Sequence, residues 1–104
     1  MYLYSITINI DNDVHDKWME EVSAVHIPAI KDTELVHDYK ILKILDEEPN
    51  GGTTYSFQYF IKDLELVNVF QKKYITLISE NMHKKYGGKF VEFNTLLELV
   101  DSLN

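Results

Sequence analysis

Two stretches of nine residues, Tyr2–Ile10 and Thr53–Ile61, carry no charged side chain, although charged residues make up 26% of the chain. In the first, Tyr4, Ile6, Ile8 and Ile10 alternate with Ser5, Thr7 and Asn9; in the second, Tyr55, Phe57, Tyr59 and Ile61 alternate with Ser56, Gln58 and Phe60. A charge-free period of two is the pattern of central strands with one buried face. Period two returns in Leu35–Asp46 and Phe90–Leu99, now interrupted by charges, as suits the edges of a sheet.

Between the strands the period lengthens. Val14, Trp18, Val22 and Val25 form one stripe of an amphipathic helix running to about Ala29 or Ile30, with Asp13 expected as its N-cap and Asp16 in its first turn. His26-Ile27-Pro28 is read as the end of that helix. A second helix starts from Asp63, carries Val67, Phe70, Tyr74, Leu77, Ile78 and Met82 on one face, and is expected to close on Gly87 in the left-handed conformation. Asn50-Gly51 marks a hairpin between the second and third strands.

The order β-α-β-β-α-β, with right-handed crossovers, folds into an antiparallel sheet of order 4-1-3-2 with both helices on one face, the α+β ferredoxin-like sandwich. It occupies the chain as one domain, 1–104. The helix-facing side is expected to carry Tyr4, Ile6, Ile8, Tyr55, Phe57, Tyr59, Val91 and Phe93. Ser5, Thr7, Asn9, Ser56, Gln58, Phe60, Glu92, Asn94 and Leu96 are left on the other. That second face is neutral and mixed, which suits packing on a second copy to make a homodimer through the sheet face better than plain solvation.

Charge limits the partners. Ten cations, all Lys, stand against 17 acids, for a net charge of −7. A polyanion meets a repulsive field and no Arg fork, so no nucleic-acid partner and no anionic membrane is expected. The absence of Cys fits a cytoplasmic protein, and the first residues show neither a signal peptide nor a membrane span.

Few residues point to chemistry. His26 reads either as a general base and ligand anchor or as a satisfied side chain at a helix end. His15, His37 and His83 lack metal-ligand spacing and read as surface residues, so no metal and no cofactor are expected. The acids from Asp11 to Glu21 miss the Gly and the Glu that a calcium loop requires. Gly51-Gly52 and Gly87-Gly88 match no phosphate-binding loop. Trp18, His26, Tyr55 and Tyr59 would line a cleft between the first helix and the sheet, or the rings simply fill the core.

Tyr2–Ile10, Asp16-Lys17-Trp18-Met19, His26-Ile27-Pro28, Gly52–Tyr59 and Phe90–Thr95 resemble a family of small bacterial proteins of unknown function about the length of this chain. That family is similar in fold to dimeric α/β barrels, in which two ferredoxin-like sheets pack face to face, so the resemblance implies a dimer. It also implies an Arg between Phe and Thr of the last strand where this chain has Asn94, which makes Asn94 a candidate ligand contact. Two functions follow as expectations. One is a non-catalytic module acting by self-association or protein binding. The other is a cofactor-free small-molecule binding protein or enzyme, monooxygenase- or isomerase-like, with His26 moving a proton and Trp18, Tyr55, Tyr59 and Asn94 holding the ligand.

Overall fold

The computed structural model describes residues 1–104. Strands β1 (Tyr2–Asp11), β2 (Asp38–Lys43), β3 (Gly52–Ile61) and β4 (Phe90–Glu98) form one antiparallel sheet in the order β2-β3-β1-β4. This is the order 4-1-3-2 counted from the other edge, with the charge-free strands in the centre. The fold is the ferredoxin-like β-α-β-β-α-β sandwich.

Each crossover is a composite helical rod. The first runs through α1 (His15–Glu21), a π-helical stretch (Val22–His26) and α2 (Ile27–Asp32). The second runs through α3 (Leu64–Val69), a π-helical stretch (Phe70–Ile75) and α4 (Thr76–Tyr86). A π-helical turn takes an extra residue, so it rotates every later side chain relative to a uniform α-helix. The buried stripe of the first rod is accordingly Trp18, Val22, His26 and Ile30, while Val25, expected inside, is exposed. In the second rod Ile75 takes the buried place expected of Leu77.

The rod ends also differ from expectation. Pro28 does not end the first rod; it lies in the first turn of α2, where a missing N–H costs least, and the widened turn before it accommodates the ring. The first rod starts after Val14 with no side-chain cap, and Asp13 instead accepts from Lys89 Nζ at 3.0 Å. Asp63 does cap α3, accepting from the backbone N–H of Leu66 at 2.9 Å. The left-handed residue after α4 is Gly88, at φ +81°, not Gly87.

The core lies between rods and sheet. Trp18 and Phe70 are its largest fully buried side chains, Trp18 edge-on to Phe57 at 6.0 Å and Phe70 against Tyr4 and Tyr59 at 5.9 and 5.2 Å. Both faces of β1 and β3 follow the expected alternation, but β4 is in the opposite phase. Ile8 pairs with Glu92 and Ile6 with Asn94, which puts Glu92, Asn94 and Leu96 on the helix side and Val91 and Phe93 on the open face. Phe90 sets that phase: it turns inward to pack on the His83 ring, 5.0 Å between centroids, and every second residue after it follows.

Candidate functional site

The two π-helical stretches meet over the sheet. Val22 and His26 from the first and Ile75 from the second line a cavity of about 50 Å³, floored by Ile6, Ile8, Phe57 and Tyr59. Trp18 and Met82 complete its apolar wall, and Glu92 enters from β4. This space admits waters; it is well below the roughly 300 Å³ of an ordinary ligand pocket. Of the residues expected to share a cleft, Trp18, His26 and Tyr59 line this cavity, and Tyr55 does not.

Behind His26 stands a buried polar group that its sequence spacing concealed. Nε2 of His26 lies 3.7 Å from Oε2 of Glu21, and both atoms, with Oη of Tyr86, are buried without a hydrogen-bond partner. The other oxygen of Glu21 is held by Lys85 from the end of the second rod. Burial pushes the His26 pKa below the usual histidine range; Glu21 works against this shift and Lys85 adds to it. The Tyr86 hydroxyl is pushed up by burial and by the Glu21 charge. His26 is therefore a neutral imidazole at pH 7, with a carboxylate beside Nε2 to orient it. Glu21 sits five residues before His26, a spacing that faces one way in a π-helical turn but not in an α-helix.

Asn94 belongs to a different place. Its Nδ2 donates to Tyr4 Oη at 2.9 Å, and both line an open groove of about 240 Å³ beside the second rod, with Ser79, Glu80 and His83. Burial raises the Tyr4 pKa. Ser79 Oγ donates to Glu92 at 3.0 Å, so the carboxylate entering the cavity is partly satisfied from the groove side.

Tyr55 joins a third arrangement. Its ring stacks on His15 at 5.7 Å, and its hydroxyl lies 2.7 Å from His15 Nε2, while Asp16 lies 2.9 Å from Nδ1. Asp16 is fully exposed, so the three residues form a clasp tying the start of the first rod to β3. His15, read from sequence as a surface residue, is part of that contact. No group of three or more His, Asp or Glu is placed to hold a metal ion.

A four-stranded sheet of this order beneath two helical rods, with a narrow apolar cleft between them, defines an α+β domain of ferredoxin-like type. The chain belongs to the DUF4286 family, a domain of unknown function, which it matches over residues 1–100. No curated protein matches it in sequence. Among solved structures it is similar to HapK from Hahella chejuensis, at TM-score 0.72 and 12% identity over 98% of this chain and 95% of that one. A dimeric ferredoxin-like protein from an uncultured marine organism superposes at 0.69 with 12% identity, over 100% and 99% of the two chains. An ethyl tert-butyl ether d (EthD) family protein from Bacillus halodurans gives 0.65 with 13% identity, over 96% and 100%. At such identities the likeness is one of fold.

Proposed function

We propose that this chain acts as a homodimeric module, two copies packed isologously through their open sheet faces, in the cytosol. One observation carries the reading. Short of Asp11, which ends β1 at one corner, the open face of the three strands β1, β3 and β4 carries twelve side chains, four from each: Leu3, Ser5, Thr7 and Asn9; Thr54, Ser56, Gln58 and Phe60; Val91, Phe93, Thr95 and Leu97. None is charged. Val91 and Phe93 are 71% and 65% exposed on it.

A second copy is the occupant this chemistry favours. In a chain of net charge −7, a face without charge is where two copies approach with least repulsion. The charges lie at its margins, on β2, where Lys40 sits over the Phe60 ring at 5.6 Å, and at Glu47, which accepts from Thr54 at 2.7 Å. Three strands of nine or ten residues and an edge strand of six span at most about 30 by 19 Å in projection. With side-chain relief this approaches the roughly 800 Å² per partner of a stable interface. The similar marine protein described as dimeric and ferredoxin-like supports the same assembly. Sedimentation at micromolar concentration is expected to give the mass of two chains, falling to one in Phe93→Lys with an unchanged circular dichroism spectrum. A wild-type mass of one chain would overturn the proposal.

A further inference from the structure

We infer that Asn50 is a site of self-modification: its side-chain amide is lost to the backbone nitrogen of Gly51 through a succinimide, with Gly52 and Asn9 holding the carbonyl oxygen on which charge develops. The inference concerns a single chain and does not rest on the dimer. Of the seven Asn in the chain, Asn50 alone precedes Gly, whose missing Cβ leaves its nitrogen unhindered. Asn9 and Asn94 are fixed in strands and Asn68 and Asn81 in helices, where the backbone nitrogen that follows cannot turn onto the side chain. Asn12 lies in a turn but precedes Asp13, whose side chain crowds that nitrogen. Asn50 is exposed and stands in the hairpin ahead of β3. Gly51 takes φ +79° with nothing within 4 Å of a Cβ position, and its N–H makes no backbone hydrogen bond.

The geometry serves each part of the step. Oδ1 of Asn50 accepts from the backbone N–H of Gly52 at 2.9 Å, an Asx turn that folds the side chain back across the intervening Gly51 nitrogen. Nδ2 of Asn9 donates to the same oxygen at 3.3 Å. When the Gly51 nitrogen, its proton given up to hydroxide, attacks Cγ, negative charge gathers on Oδ1, and these two donors stabilise it as an oxyanion hole does. The N–Cγ bond forms and the Cγ–Nδ2 bond breaks. Nδ2, which makes no hydrogen bond within the chain, takes a proton from water and leaves as ammonia. One water then opens the ring: attack at Cγ gives aspartate, and attack at the main-chain carbonyl of residue 50 gives isoaspartate, with the chain running through Cβ. Either product adds one negative charge to a chain of net charge −7. Isoaspartate also lengthens a turn whose Gly52 is set too tightly against Asn9 to accept even a Cβ.

The test keeps the whole folded chain in warm, mildly alkaline buffer and follows it by peptide mapping with mass spectrometry and by enzymatic methylation of isoaspartate. Conversion is expected at Asn50 before any other Asn, as a mixture of isoaspartate and aspartate. Its rate is expected to rise with hydroxide concentration, because the attacking nitrogen must lose its proton. Asn50→Ser is expected to abolish the isoaspartate signal, and Asn9→Ala to slow conversion at Asn50 severalfold with an unchanged circular dichroism spectrum. Should Asn9→Ala not fold, the site, the product mixture and the pH dependence in the unaltered chain decide alone. No conversion at Asn50, aspartate without isoaspartate, faster conversion at another Asn, or undiminished conversion in folded Asn9→Ala would overturn the inference.

Discussion

Nε2 of His26 and Oε2 of Glu21 stand 3.7 Å apart in the interior, brought onto one side of the first rod by the π-helical stretch between them. The imidazole titrates below its ordinary 6.5 because burial outweighs the Glu21 charge, with Lys85 adding to the depression. In the unfolded chain it titrates near 6.5, so below that pH the unfolded state binds more protons than the folded one. Its contribution to stability is complete above about pH 6.5 and declines as pH falls from there through the folded pKa. Urea unfolding between about pH 5 and 7.5 is expected to show this decline, and His26→Gln to flatten that part of the profile. An unchanged slope in the variant would assign the pH dependence elsewhere.

Trp18 is the keystone of the first rod. It is 1% exposed and touches Tyr55 and Phe57 on β3. Trp18→Ala is expected to cost about 3–5 kcal/mol in denaturant unfolding, from lost burial and the cavity left behind. Tyr55→Phe removes only the hydroxyl facing His15, which water can replace at a part-exposed site, and is expected to cost about 1 kcal/mol.

The phase of β4 is tested by its two phenylalanines. Phe90 packs inward on His83, whereas Phe93 is 65% exposed on the open face. In protein kept dilute enough to be monomeric, Phe90→Ala is expected to cost about 2 kcal/mol and Phe93→Ala less than about 0.5 kcal/mol. A larger cost for Phe93→Ala than for Phe90→Ala would mean that the strand is turned over, with Val91 and Phe93 on the core side.

Strand order and the central place of β1 and β3 were legible because charge and period two spoke together in those segments. β4 misled for a physical reason. It is an edge strand whose helix side is only partly covered, so Glu92 and Asn94 tolerate the inner face by bonding to Ser79 and Tyr4, and hydrophobicity no longer reports phase. Trp18, His26 and Tyr59 do share a cavity, as their chemistry suggested, but Tyr55 and Asn94 belong to a clasp and a groove on either side. Glu21, weighed only among the acids of a calcium loop, was not legible as a partner of His26 because a period of 3.6 sets the two apart. Only the π-helical turn makes five residues a single step, and nothing in Val22–His26 announces that turn before Pro28 is placed.

The turn after α4 separates strain from collision. At Gly88, φ is +81° and nothing lies within 4 Å of where a Cβ would sit, so Gly88→Ala is expected to cost about 1 kcal/mol from backbone strain alone. Gly87 has an ordinary φ, but its Cβ would fall 2.6 Å from the carbonyl oxygen of His83. Relief there needs movement of the helix end itself, so Gly87→Ala is expected to lower the thermal midpoint more than Gly88→Ala.

A dimer through the open face makes stability depend on concentration, because the partner binds only the folded chain. For a two-state dimer each tenfold dilution removes about 1.4 kcal/mol from the free energy of forming the folded pair. The urea midpoint of the wild-type chain is therefore expected to fall on dilution from about 100 to 1 μM. Phe93→Lys places one ammonium per copy on a face that has none in its three-strand area, and an isologous contact brings that face against itself. Its midpoint is expected to be independent of concentration and to match the wild-type value at high dilution. A wild-type midpoint that ignores concentration would show that the exposed Val91 and Phe93 meet water and not a second copy.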